Sequence, residues 1–303
     1  MADADARHRR RGGSATRGRH AGKVKSVLVA AALALLPLRA EAQSWRTLDV
    51  SRQLRDSGEH RVRVRYGAGR FSLRPTSDPV LFSMNLRYDE ERMRPVHEYT
   101  PETRSVSLGI DGESERWTRV VRNRNESEMR LQLSDAVPME LRLELGATEA
   151  RVDAGGLSLS ALRVETGAAD AVLDFSAPNK ARMRLLDLQL GAASFVLTNL
   201  GNANVERIRV EGGVGSVDLD FGGTIANDVE IEANVALGKF ALHLPPDVGI
   251  RVDIRRVLAG FQHPGLVKRG NAFYSENWDT AKVRMRVRAE TVFGAVEVHR
   301  DRD

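Results

Sequence analysis

Leu141-Arg-Leu-Glu-Leu-Gly146 returns along the chain as Leu162-Arg-Val-Glu-Thr-Gly167, Leu186-Asp-Leu-Gln-Leu-Gly191, Ile208-Arg-Val-Glu-Gly-Gly213 and Val229-Glu-Ile-Glu-Ala-Asn234. The starts lie 21, 24, 22 and 21 residues apart. Self-similarity at a fixed period of this size marks a stacked array. Each phrase alternates apolar and polar residues, the spacing of a strand with one buried face. Leu141, Leu143, Leu162 and Val164 point one way; Arg142, Glu144, Arg163 and Glu165 point the other. The closing Gly permits a corner that a Cβ would strain. A second alternating run follows, in which Val152, Leu173, Leu197, Leu219 and Leu242 recur at 21, 24, 22 and 23 residues.

One such coil cannot bury its own apolar face, but stacked coils bury a continuous core. The pattern predicts an all-β chain: a right-handed parallel β-solenoid of about 22 residues per coil, preceded by a smaller N-terminal β region. The competing arrangement is a β-sandwich of hairpins at similar spacing. Arg and Glu recurring at matched positions favour stacking, because ladders of opposite charge can pair within and between coils. The expected organisation is a signal peptide over 1–42, an N-terminal β domain over 43–135 and the solenoid over 136–303. Within the N-terminal region Val62-Arg-Val-Arg-Tyr-Gly67 echoes the repeat, and Trp117–Val121 is one of several further alternating runs. Residues 255–282 break the alternation and read as an irregular loop rich in aromatic residues. Val283–His299 then restores a final coil.

Charge narrows the class of partner. The chain of 303 residues carries 46 Lys and Arg against 41 acids. Nine of the bases and three of the acids lie in residues 1–42, leaving 37 against 38 in the remainder, a net charge of −1. The body therefore lacks the basic footprint of a nucleic-acid binder. Residues 1–42 read as a targeting segment, with bases up to Lys25, an apolar run from Val27 to Leu38 and Ala40-Glu41-Ala42 as a small-x-small cleavage site. Arg9-Arg10-Arg11 hints at twin-arginine export, and a retained anchor is the alternative to cleavage. The apolar run is short for a membrane span. The expected address is export, to the periplasm or cell surface, with no stable membrane span after cleavage. The chain has no Cys, so disulfides play no part.

Gly146-Ala147, Gly167-Ala168 and Gly191-Ala192, Leu242-His-Leu-Pro-Pro-Asp-Val-Gly-Ile-Arg-Val252, the segment Gly270–Trp278 and Phe293-Gly-Ala-Val-Glu-Val298 together resemble the toast-rack, or LiaF-like, cell-wall-active antibiotic response proteins, which are related to adhesin-like domains. Tyr66-Gly-Ala-Gly-Arg-Phe71 resembles the start of that family's N-terminal domain. The resemblance implies an envelope protein without catalysis that takes part in stress sensing or interactions. The best-known members carry transmembrane helices before the β domain, where this chain has a signal-like segment.

No nucleophile elbow, His-Glu-x-x-His or phosphate-cradling loop occurs in the sequence. One polar column follows the second apolar run: Asp153, Asp174, Thr198, Asp220 and His243. Stacking would set Asp153 and Asp174 about 5 Å apart, where paired carboxylates can hold Ca²⁺ or share a proton. They are the candidates for a metal or for acid–base work on sugars; a solvated polar face is the plainer account. Phe261, Phe273, Tyr274 and Trp278 are the candidate partner surface, since Trp and Tyr are favoured at interfaces; the alternative is that they fold back to cap the stack. No cofactor is expected. The first functional reading is a non-enzymatic envelope protein that binds or scaffolds an envelope protein or cell-surface component; the alternatives are a carbohydrate-active solenoid enzyme and a regulatory input domain.

Overall fold

A computed structural model describes residues 44–111 and 127–300. The expected targeting segment and the run Trp117–Val121 lie outside the described residues. The chain divides after Ala42, and the second unit, Gln43–Asp303, carries the architecture that follows.

Seven long strands run parallel, side by side: β2 (His60–Thr76), β7 (Pro138–Asp153), β8 (Ser158–Asp174), β9 (Leu185–Thr198), β10 (Arg207–Asp220), β11 (Val229–Leu244) and β15 (Arg284–Arg300), with an eighth, β12 (Gly249–Gln262), beyond β15. Each is one coil of a β-solenoid, bent near its middle so that both halves face one core. The register stacks Val62, Leu141, Leu162, Leu186, Ile208, Ile231, Val287 and Val252 in one column. Leu73, Val152, Leu173, Leu197, Leu219, Leu242 and Val298 form the second. No member of either column is more than 6% exposed. The period-2 alternation is thus spent on burial: at about 25 cal/mol per Å² each column residue contributes about 1.5–3 kcal/mol. The connections after each second half close the third side, and Asn side chains hold them. Asn179 Nδ2 donates to the Leu159 and Ala181 carbonyls at 2.9 and 2.8 Å, while its Oδ1 accepts from the Leu159 amide at 2.7 Å.

The corner is built in two ways. Gly146, Gly191 and Gly213 sit so close to the coil beneath that a Cβ would meet a backbone oxygen at 2.2, 2.4 and 2.8 Å. Further along, the bend moves two residues on to Gly215, Gly238 and Gly294, whose φ values are +135°, +141° and +125°. This shift corrects the fifth phrase. Its corner is Gly238 rather than Asn234, and Ile231, not Val229, lies beside Ile208. A slip of two residues leaves every side chain on its face, so alternation alone could not separate the two registers.

The ends depart most from expectation. At the N-terminal end β2 is flanked, opposite β7, by a coil in two pieces: β5 (Ser105–Asp111) beside its first half and β6 (Glu128–Ser134) beside its second. Antiparallel strands cover both pieces, β4 (Arg94–Thr100) on β5 and β3 (Val80–Asp89) on β6, with β1 (Trp45–Gln53) outside β3. The parallel pairing of β2 with β7 crosses the expected domain boundary at residue 135. At the other end the final coil is not outermost: β15 inserts between β11 and β12. The irregular loop expected over 255–282 is a correction. Residues 255–262 continue β12, and β13 (Leu266–Arg269) and β14 (Ala272–Ser275) form a hairpin whose second strand covers Arg251 and Val252. Apolar residues on the outward face of β12 disguise its alternation.

Candidate functional site

The polar column stacks as its spacing predicts: Asp153 beside Asp174, Asp174 beside Thr198, Asp220 beside His243. Its acids already accept hydrogen bonds, Asp153 and Asp220 from their own turns and Asp153 and Asp174 from the next coil. Asp153 Oδ1 accepts from the Gly155 amide at 2.9 Å and the Ser176 hydroxyl at 2.7 Å. Asp174 Oδ1 accepts from Thr198 Oγ1 and Asn199 Nδ2, both at 2.7 Å, and Asp220 Oδ1 accepts from the Gly222 amide at 3.0 Å. An Asp that binds the amide two residues on is a local turn-former, so Asp153 and Asp220 shape the exits of their strands, while Asp174 ties its coil to the next. Among the described residues no three of His, Asp or Glu converge on a point where a cation could sit.

The column extends further than its period suggested. His299, brought beside His243 by the insertion of β15, stacks on it at 4.7 Å between ring centroids, with planes 15° apart. His243 Nε2 lies 3.2 Å from Asp218 Oδ1 on the neighbouring strand β10, and His299 Nε2 lies 3.2 Å from Glu297 Oε2, two residues back on its own strand. The His299 hydrogen bond, with Lys239 nearby, holds the Glu297 carboxyl below its ordinary range.

The aromatic candidates divide into two groups because Phe273 and Tyr274 are neighbours on one strand and point to opposite faces. Phe273 packs edge-on against Phe261 at 5.0 Å, and His263 lies 4.6 Å from both rings. This trio is half-buried against the end of the core. Tyr274 and Trp278 lie on the other face, edge to face at 5.6 Å. Guanidinium groups surround them: Arg251 and Arg269 at 5.7 and 5.6 Å from the Tyr274 ring, Arg284 and Arg286 at 5.9 and 5.8 Å from the Trp278 ring. Three of the four are also ion-paired, to Asp253, Asp279 and Asp228. The sequence named the rings but not their cations, which come from three separate strands, β12, β13 and β15.

The model of the N-terminal domain of toast_rack, DUF2154, matches residues 40–194, just over half of the chain. The chain belongs to the toast-rack family. The match ends inside β9, so it takes in the N-terminal cap and the first coils. Among curated proteins none matches this toast-rack chain. Several solved structures are similar at low identity, three of them as follows. A candidate cell adhesion protein from Clostridium sporogenes shares 16% identity at a TM-score of 0.41, over 84% of this chain and 100% of that one. A candidate adhesin from Bacteroides fragilis shares 12% at 0.39, over 85% and 98%. Another from Parabacteroides merdae shares 9% at 0.40, over 85% and 97%. Among the described residues of the toast-rack chain, no helix is long and apolar enough to cross a membrane.

Proposed function

We propose that this toast-rack protein is exported and acts without catalysis in the cell envelope, binding or scaffolding an envelope protein or cell-surface component through the face that carries Tyr274 and Trp278. The observation that carries the reading is the pair of rings set among four guanidinium groups. Trp, Tyr and Arg are the residues that concentrate binding energy at interfaces, and preformed edge-to-face and cation–π contacts hold them in place at little further entropic cost. The stacked acids support the same reading from the other side. An enzyme acting on sugars needs an acid and a base free to move protons, whereas Asp153 is engaged by its own turn and by Ser176, and Asp174 by Thr198 and Asn199 of the next coil.

The test is capture from envelope extract by the full chain, beside a variant carrying Tyr274→Ala and Trp278→Ala. The expected result is a partner held by the native chain and lost by the variant, with the melting temperature of the variant within a few degrees of native. Equal capture by both, or polysaccharide cleavage abolished by Asp174→Asn, would overturn the proposal.

A further inference from the structure

The two ends of the stack treat their exposed strand edges differently. At the N-terminal end antiparallel strands cover both pieces of the outermost coil, β4 on β5 and β3 on β6. At the C-terminal end β14 covers only Arg251 and Val252 of β12. Among the described residues no strand pairs with the outer side of Arg255–Gln262, whose backbone receives one side-chain contact, Arg256 Nη1 donating to the Ala259 carbonyl at 3.0 Å. A strand edge offers a row of free N–H and C=O groups that only another strand can satisfy in full. The other edges carry the usual protections against such pairing. β4 has Pro95 and the charges of Arg94 and Glu98, β1 alternates Arg46, Asp49 and Arg52, and β13 is four residues long and ends in Lys268-Arg269. The bare half of β12 reads Arg-Arg-Val-Leu-Ala-Gly-Phe-Gln instead. Its Val257 and Leu258 are 73% and 69% exposed, ahead of the other large apolar side chains among the described residues. Leu258 also ends an apolar ridge, Val214, Leu237, Phe293, Leu258, that runs along the outside of the corner from coil to coil.

We propose that Arg255–Gln262 pairs antiparallel with the same segment of a second copy of this chain, joining two solenoids end to end. The segment is self-complementary in that arrangement. A two-fold axis at Leu258 sets Leu258 against its counterpart and Val257 against Ala259. It sets Arg255 against Phe261 and Arg256 against Gly260, so no guanidinium faces its own copy. A parallel in-register pairing would place both Arg residues against themselves, and like charges directly opposite destabilise a sheet. The rest of the molecule permits the approach, because residues 43–303 carry a net charge of only −1 and do not repel a second copy. The pairing also continues the ridge across the junction. It requires neither Tyr274 nor Trp278, so it stands or falls separately from the proposed partner face.

The test is sedimentation of the full chain over roughly 1–100 µM, the range in which an interface below standard size dissociates, together with hydrogen exchange of the β12 amides. The expected result is a monomer–dimer equilibrium in which protection of residues 255–262 rises with concentration. Val257→Lys with Leu258→Lys should abolish the dimer with little change in melting temperature, since both side chains stand in solvent. Val214→Lys, on the ridge but separated from the edge coil by β11 and β15, should leave it intact. A monomer at every concentration would overturn the proposal, whether the 255–262 amides exchange freely or are covered from within the chain. So would a dimer that survives the double substitution, or open-ended polymers.

Discussion

At Gly215 φ is +135°, and an added Cβ would lie 1.9 Å from the Ala193 carbonyl oxygen. The obstacle is backbone, which cannot rotate away as a side chain can. Gly215→Ala should therefore destabilise the protein by about 3 kcal/mol or more. Gly270 makes the control: its φ is +62°, but nothing lies within 4 Å of the added carbon. Gly270→Ala should cost about 1 kcal/mol, the left-handed penalty alone. Thermal melts of both variants measure the difference; equal shifts would mean that the stacked corner is not tight. A second residue sets a pH limit. His60 is 1% exposed, and its Nδ1 has no hydrogen-bond partner. Burial pushes its pKa below the ordinary 6.5, against the opposing pull of the Gly58 backbone and Asp56. The folded state holds this ring neutral, while the unfolded chain takes up a proton near pH 6.5. The stability tied to the neutral ring is complete above that pH and is lost as pH falls through the depressed folded value. Between pH 7 and pH 5 the melting temperature of the native chain should fall more steeply than that of His60→Leu; parallel slopes would refute it.

Among the elements, β15 decides the C-terminal third. It is hydrogen-bonded to β11 on one side and β12 on the other, and Met285, Val287 and Val298 are fully buried in it. Since, among the described residues, β12 is paired to the stack through β15, a chain ending at Lys282 leaves β12 and the hairpin without a neighbouring coil. Stability in a solenoid passes between adjacent coils. Hydrogen exchange on that truncated chain should show β12–β14 unprotected and β7–β9 protected as before. Persisting protection in β12 would mean that it can dock on β11 directly. This insertion marks the limit of what the sequence discloses. Alternation and period expose the coils, their inward columns and the stacking of Asp153 on Asp174, because burial on one face forces a period of two. Strand order leaves no such trace, so β15 reads as an ordinary last coil, and the meeting of His299 with His243 is invisible 56 residues away. The register of the fifth coil was hidden for a related reason: Val229 and Ile231 satisfy the same face. The second half of β12 was hidden because Val257 and Leu258 are apolar where an outward face is normally polar. The four arginines around Tyr274 and Trp278 converge only once the hairpin, β12 and β15 are in place.

For the molecule as a whole, the question is whether its charged ladders or its apolar columns hold the stack. The ladders are real: Arg142 pairs with Glu144 and Glu165 at 2.8 and 2.7 Å, Arg163 with Asp187 at 2.9 Å, and Arg288 with Glu230 and Glu232 at 2.9 and 3.4 Å. Parallel in-register stacking also sets Arg142 beside Arg163 and Glu144 beside Glu165. Each column therefore repels itself along the axis while attracting its neighbour across it. The arginines are 38–61% exposed at the side chain, where such a pair contributes about 0–1 kcal/mol. Raising the salt from about 0.1 to 1 M shortens the screening length from about 10 to 3 Å and weakens attraction and repulsion alike. The melting temperature should then move by less than about 5 °C. Leu197→Ala removes one fully buried side chain from the second column and should cost about 2–5 kcal/mol, a larger fall than full screening produces. If salt instead lowered the melting temperature further than Leu197→Ala does, the ladders would be the principal support of the stack, and the coils would be held together from their surface rather than from their core.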